Sequence, residues 1–184
     1  MKGVVFNLLE DVVVRHHGEN LWDDLLDRAG VSGAYTSLGN YADAEFGRLV
    51  AAAAQLLGMQ VTDLLRWVGR NGIPFLATRY SHFFDPYGST RRLLVNLNGI
   101  IHPEVRKLYP AADVPYFDVQ DRADGSLLLC YESSRRLCAL AHGFVEGAAD
   151  HFGESAIVEH IRCVHRGDDR CEFEIHFAPG SVNG

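Results

Sequence analysis

The chain has 184 residues, 47% of them hydrophobic and 22% charged, with a formal net charge of -7. That length suits one domain with a sizeable core, and the acidic balance argues against a surface built to neutralise nucleic-acid phosphates. The apolar opening is cut short by Glu10 and Asp11 with no small-residue cleavage site behind it, and no run of about 18 apolar residues offers a membrane span, so a cytoplasmic protein is expected.

Val5, Leu8, Leu9, Val12 and Val13 recur at helical spacing and predict a helix from Gly3 to about His17, stopped by Gly18. Asn20 is placed to cap a second helix that buries Leu21, Trp22, Leu25, Leu26 and Ala29 and ends near Gly30. Residues 30–40, rich in Gly, Ser and Thr, read as loop. Helical pattern returns over Asp43–Leu57 and again over Val61–Gly69, the latter with Thr62 as its cap. Gly72 and Pro74 then predict no more than one or two short helical turns between Ile73 and Phe84. Thr90–Tyr109 is the longest helix candidate. Pro103 within it predicts a kink or a fresh start beside His102.

After Pro115 the pattern turns extended. Tyr116–Gln120 and Ser126–Glu132 flank the Asp124-Gly125 turn and read as a hairpin. Arg135–Phe152 reads as a helix, and Ala156–His165 with Arg170–Phe177 as a second hairpin around Gly167. The expected fold is α+β: a helical lobe over 1–84, then an α/β lobe over 85–178 in which a small antiparallel sheet in ββαββ order carries a packed helix, the whole forming a single domain followed by a disordered tail at 179–184.

Two features carry chemistry. His102 stands behind the apolar run of the long helix, where a lone imidazole is most often a core residue bonded to backbone. Downstream comes Tyr131-x-Ser133-x-Arg135. If the strand stays extended, residues two apart share a face, and phenol, hydroxyl and guanidinium form a row suited to a carboxylate or phosphate. The alternative is a strand-to-helix junction in which Ser133 or Ser134 caps the next helix and Arg135 is solvated.

The Met-Lys-Gly start, His102 late in a long helix, Pro115 a dozen residues on and Tyr131-x-Ser133-x-Arg135 together resemble the heme nitric oxide/oxygen binding (H-NOX) family, over Met1 to about Phe177. The resemblance implies a b-type heme between the two lobes. It gives His102 as proximal iron ligand, Tyr131, Ser133 and Arg135 as holders of the propionates, and Pro115 as the residue that presses on and distorts the porphyrin. The absence of Cys-x-x-Cys-His argues for a non-covalent heme. Oxygen-holding members carry a distal tyrosine, and the matching position here is Leu140. With Phe144 four residues on, and Val5 and Leu9 from the first helix, the expected distal wall is apolar, since His142 lies about 200 degrees round from Leu140. The expectation is a nitric oxide sensor with poor oxygen binding. Similar stand-alone bacterial members signal in trans to a histidine kinase or a cyclic-di-GMP enzyme, which are the expected partners.

Four cysteines in a reducing compartment point to buried thiols, metal ligands or redox sensing. Cys163 and Cys171 are symmetric about Gly167, so a simple hairpin sets them across from one another with Cβ atoms about 4.5 to 5.5 Å apart. With Cys138 and His160 they supply the four N/S ligands that tetrahedral zinc takes. A pair of buried thiols is the alternative, and His165 is a rival ligand. A subset of bacterial H-NOX proteins is similar, with zinc held by three cysteines and a histidine as a thiol redox sensor. Cys130, in an apolar run, reads as core, and the other histidines read mostly as surface. Two other functions compete with the gas sensor: a thiol/zinc redox sensor in which heme is secondary, and a heme enzyme, for which the expected apolar wall lacks acid/base groups. No enzyme activity is expected.

Overall fold

The computed structural model describes residues 1–110 and 112–178, so the expected tail at 179–184 lies outside the described residues. Four helices come first: α1 (Gly3–His17), α2 (Glu19–Ala29), α3 (Asp43–Leu57) and α4 (Val61–Arg79). Phe6, Leu9, Val12 and Val13 of α1 are fully buried against Leu25, Leu49, Ala53 and Leu64 of the other three. Gly30 and Gly58 end α2 and α3 in the left-handed conformation, with φ of 63° and 64°, which glycine adopts without the Cβ penalty. Neither expected side-chain cap forms. Gly18 precedes α2 and Gln60 precedes α4, and Asn20 and Thr62 fall inside their helices.

The expected break at Gly72 and Pro74 does not occur, because α4 runs unbroken for 19 residues with Pro74 inside it. Tertiary packing overrides the local signal. α4 lies against α7 (Cys138–His151) so closely that a Cβ on Gly69 would stand 2.3 Å from the Leu140 carbonyl oxygen, and one on Gly143 would stand 2.0 Å from that of Arg66. A Cβ on Gly147 would come within 2.4 Å of the Arg70 carbonyl oxygen, the acceptor that Pro74 deprives of its usual helix donor. The bare Cα of Gly147 is therefore placed for a C–H···O contact with that oxygen. Arg66–Glu146 and Arg70–Asp150, each a two-pronged pair with contacts of 2.5 to 3.0 Å, flank the seam.

The segment expected as one long helix is three. α5 (Thr90–Val95) is capped by the Ser89 hydroxyl and ends at Asn96, a π-helical turn covers Leu97–Ile101, and α6 (His102–Leu108) starts afresh. The expected fresh start is therefore present, and the π turn explains it. The Ile100 and Ile101 amides both donate to Asn96 O at 3.0 Å, so the ladder slips one residue before Pro103, which then sits in the first turn of α6, where a missing N–H costs nothing.

The sheet is antiparallel, in the order β1-β2-β4-β3, from β1 (Tyr116–Asp121), β2 (Leu127–Glu132), β3 (Ala156–Arg162) and β4 (Cys171–Phe177). The α+β expectation with ββαββ order is met, with shorter elements at two places. The helix begins at Cys138 rather than Arg135, and a short 3-10 turn, Val164–Arg166, replaces the end of the third strand. Leu127, Leu129, Tyr131, Phe173 and Ile175 face α7 and form the second buried cluster. A third, containing Ile73, Phe83, Phe84, Leu93, Ile101 and Ala148, joins α4 and α7 to the segment that runs from Phe83 to Ile101. Among the described residues no helix is long and apolar enough to cross a membrane.

Candidate functional site

Where the three clusters meet there is a cavity of about 350 Å3. Val4, Val5 and Leu8 of α1, Ile73 and Leu76 of α4, and Leu140, Ala141, Phe144, Val145 and Ala148 of α7 form one side of its lining. Leu97, Ile101, His102, Val105, Pro115 and Phe117 contribute from the π turn, α6 and the approach to β1. Leu9 does not belong to this lining. It is fully buried in the helical core, because the side of α1 that faces the cavity carries Val4, Val5 and Leu8, with Val4 and Leu8 four residues apart on one face. Leu8 takes its place, resting on the bare Cα of Gly72.

His102 reaches the cavity from the first residue of α6. Its Nδ1 is buried and has no hydrogen-bond partner among the described residues, an arrangement that costs free energy unless a ligand completes it. Burial, then the nearby Arg106 charge, pulls its pKa down to about 4 against a weaker pull from the Pro115 carbonyl. The imidazole is therefore neutral at physiological pH, the form that binds a metal.

Tyr131, Ser133 and Arg135 line one corner of the cavity together with Asp113. They converge for a different reason than strand alternation, since β2 ends at Glu132. Ser133 Oγ accepts from the Arg135 amide at 3.3 Å, turning the chain. Ser133 and Ser134 do not cap α7, which starts after Leu137 with no side-chain cap. Arg135 is held rather than solvated: Nε donates to Asp43 Oδ2 at 2.9 Å, and Nη1 donates to the Asp113 carbonyl at 2.7 Å and carboxylate at 2.9 Å. Its Nη2 makes no hydrogen bond among the described residues, leaving donors for an anion. Burial pushes the Tyr131 phenol up, opposed by hydrogen bonds from Ser133 and the Leu137 backbone.

Several lining residues were not foreseen, two tyrosines among them. Tyr80 and Tyr109 line the cavity and hydrogen-bond to one another through their hydroxyls, joining the ends of α4 and α6. Burial and the Tyr80 hydroxyl both raise the Tyr109 phenol. Lone tyrosines at two distant helix ends give no sequence signal. His142, one of the histidines read as mostly surface, is buried and lies edge-on to Phe173 and His160 rather than in the cavity wall.

The second group is Cys138, His160, Cys163 and Cys171, whose ligand atoms all lie within 4.8 Å of one another. Cys163 and Cys171 are not a cross-strand pair. A bulge between His160 and Arg162 pairs Arg162 with Glu172, while Cys171 pairs with Tyr131 on its other side. Cys138 Sγ and Cys163 Sγ are 3.8 Å apart, close to the spacing of about 3.8 Å between thiolates bound at about 2.3 Å on a tetrahedron. All four cysteines are free and buried. Burial, then Cys171, raises the Cys138 thiol, burial raises that of Cys171, and burial, then Arg166, lowers His160 to about 4. His160 Nε2 is buried without a partner among the described residues. His165, the rival, stands outside the group, with Nε2 on the Arg136 carbonyl at 2.8 Å.

Four helices, a helix-backed sheet and a largely apolar cavity lined by His102 and by the Tyr131, Ser133 and Arg135 corner make up this arrangement. An H-NOX protein from S. oneidensis in its Fe(II)NO state is 34% identical, with 97% of this chain and 99% of that chain covered and a TM-score of 0.90. The Fe(II) unliganded H-NOX protein from K. algicida is 26% identical over 100% of both chains, with a TM-score of 0.84. A doubly substituted Tt H-NOX, 22% identical over 96% of this chain and 95% of its own, shares the fold with a TM-score of 0.85. A family model described as Haem-NO-binding matches residues 2–160. The chain belongs to that family.

Proposed function

We propose that this chain is a heme-based gas sensor that takes nitric oxide at ferrous heme and signals to a separate protein. The observation that carries the reading is the imidazole of His102, its buried Nδ1 without a hydrogen-bond partner among the described residues, on the wall of a largely apolar cavity whose Tyr131, Ser133 and Arg135 gather at one corner. A bound heme supplies an iron centre with one position open to a diatomic gas. His102 would hold its iron. Tyr131, Ser133 and Arg135 hold the two propionates, with Asp43 and Asp113 fixing the guanidinium for that task. Pro115 lines the cavity beside His102 and would contribute to the surface that packs against the macrocycle.

Val5, Leu8, Leu140 and Phe144 exclude water from the gas side and offer no hydrogen-bond donor there. A gas that gains negative charge on binding needs such a donor, and nitric oxide needs it far less, which favours nitric oxide over oxygen. α6 contains no fully buried residue, so the helix carrying His102 is free to shift when the pull on the imidazole changes, and a partner that distinguishes the two positions reads the signal. A histidine kinase or a cyclic-di-GMP enzyme is the partner class that the family likeness suggests. Cys138, His160, Cys163 and Cys171 form a zinc site with thiol redox chemistry as a second role.

Absorption spectra of the purified ferrous protein, anaerobic, in air and with nitric oxide, test the main reading. A shifted band with nitric oxide and none in air is expected, whereas a stable complex in air would overturn the selectivity, and a protein that takes up no heme would overturn the sensor. Metal analysis should find near-stoichiometric zinc, lost in Cys171→Ala; reduced protein without zinc would refute the second site.

A further inference from the structure

The anion-holding corner and the cysteine group share one stretch of chain. Tyr131 opens it, paired in the sheet with Cys171 and packed in the same buried cluster as Cys138, Cys163 and Cys171. Leu137, a cavity residue, closes it immediately before Cys138. Between them the backbone passes through Arg136, whose φ of 54° makes it the one non-glycine residue at positive φ among the described residues. A residue with a Cβ stays there only when its surroundings over-determine it.

The surroundings that hold Arg136 belong to the cysteine group. Nη2 of Arg136 donates to the Val164 carbonyl at 2.8 Å, and the Arg136 carbonyl meets His165 Nε2 at 2.8 Å. Val164 and His165 lie in the short turn between Cys163 and Cys171. On the other side, the Arg136 amide donates to the Ser133 carbonyl at 3.2 Å, one residue from the Arg135 amide that binds Ser133 Oγ. The turn that brings Cys163 to Cys171 thus also sets the turn that presents Ser133 and Arg135 to the cavity.

We propose that zinc at Cys138, His160, Cys163 and Cys171 and the dianionic cofactor in the cavity are coupled through Arg136, so that each raises the affinity for the other. This rests on the site assignments proposed above. Drawing the four ligand atoms in from their 4.8 Å spread fixes the 163–171 loop, and with it the two hydrogen bonds that hold Arg136. Ser133 and Arg135 are then pre-organised, and the cofactor no longer has to order them on binding. Linkage requires the reverse effect to be equally large.

The test is the equilibrium partition of heme between the reduced full chain and a competing apo-globin, with and without zinc, alongside zinc affinity measured against a chromophoric chelator on heme-free and heme-loaded chain. Zinc should tighten heme binding on the order of 5-fold or more, and heme should tighten zinc binding by the same factor. Arg136→Gly with His165→Ala keeps a residue that adopts positive φ freely while deleting both ties. In that variant both factors should fall to one, with heme and zinc each still bound, and Arg136→Lys should restore part of the coupling. Equal heme partition with and without zinc in the parent chain overturns the proposal, as does a coupling that survives the double variant. A parent chain that binds no heme, by its spectrum, or no zinc, by metal analysis, overturns the underlying assignments and the coupling with them.

Discussion

His102 is the residue at which structure and chemistry meet, and its protonation is measurable without any cofactor. In the unfolded chain an imidazole takes its proton near pH 6.5; in the fold His102 and His160 take theirs only at about 4. As pH falls through 6.5 the unfolded state gains protons that the folded state refuses, so stability present above that pH drains away down to about pH 4 and then levels. Urea midpoints of the heme-free, metal-free chain should fall across that window, and His102→Leu should flatten part of the slope. A midpoint constant between pH 7 and 4 contradicts the burial argument. Leu140 offers a second test. It faces the cavity from α7, so Leu140→Tyr places a phenol where the wall has no donor, and the heme-loaded variant should hold oxygen in air; an unchanged spectrum in air would remove Leu140 from the gas side.

At the scale of elements, the α4–α7 seam sets the tolerance of the molecule. Gly143→Ala would drive a methyl to 2.0 Å from the Arg66 carbonyl oxygen. Backbone cannot yield as a flexible side chain does, so a loss of about 1–3 kcal/mol, typical of overpacking, is expected in a denaturant titration. The exposed Gly47, with nothing within 4 Å of its Cβ position, is the matched control, expected to gain slightly from Gly47→Ala because alanine favours helix. The same seam explains what was hard to read from the chain. α1 and α3 were legible to the residue because apolar periodicity and a following glycine are local signals. α4 was not, since Pro74 is a local stop signal that the packing of α4 against the distant α7, close at Gly143 and Gly147, overrides. The break before His102 was half legible: Pro103 announced it, but the π turn depends on Asn98, whose side chain grips both the amide and carbonyl of Phe117 in β1.

At the scale of the whole molecule, the cavity is where three hydrophobic clusters fail to close on one another. That His102, Tyr131, Ser133 and Arg135 line one cavity and that Cys138, His160, Cys163 and Cys171 lie together agrees with the positions picked out in the sequence by the family pattern and by cysteine spacing. Their surroundings could not be picked out in this way. The choice of Leu8 over Leu9, the phenol pair Tyr80–Tyr109 and the clasp on Arg136 all depend on how α1, α4, α6 and the sheet are set against each other. A cofactor that fills this cavity should therefore stabilise the whole fold by mass action, by about 2.7 kcal/mol when free ligand is 100 times its Kd. Calorimetry of heme-loaded and heme-free chain should show the melting temperature rising with heme concentration; equal melting temperatures would mean that heme does not bind the folded chain in preference to the unfolded one.

α6 carries His102 yet has no fully buried side chain, and its seven residues are bounded by a slipped turn on one side and Tyr109 on the other. A segment so lightly anchored opens by local fluctuation long before the sheet does. In the heme-free chain the amide hydrogens of Val105–Leu108 should trade for deuterium among the fastest of any helix, and a protease supplied in trace should nick the backbone there first. Heme uptake should slow both together, making the rate of deuterium uptake in these few residues a gauge of how firmly His102 is being pulled.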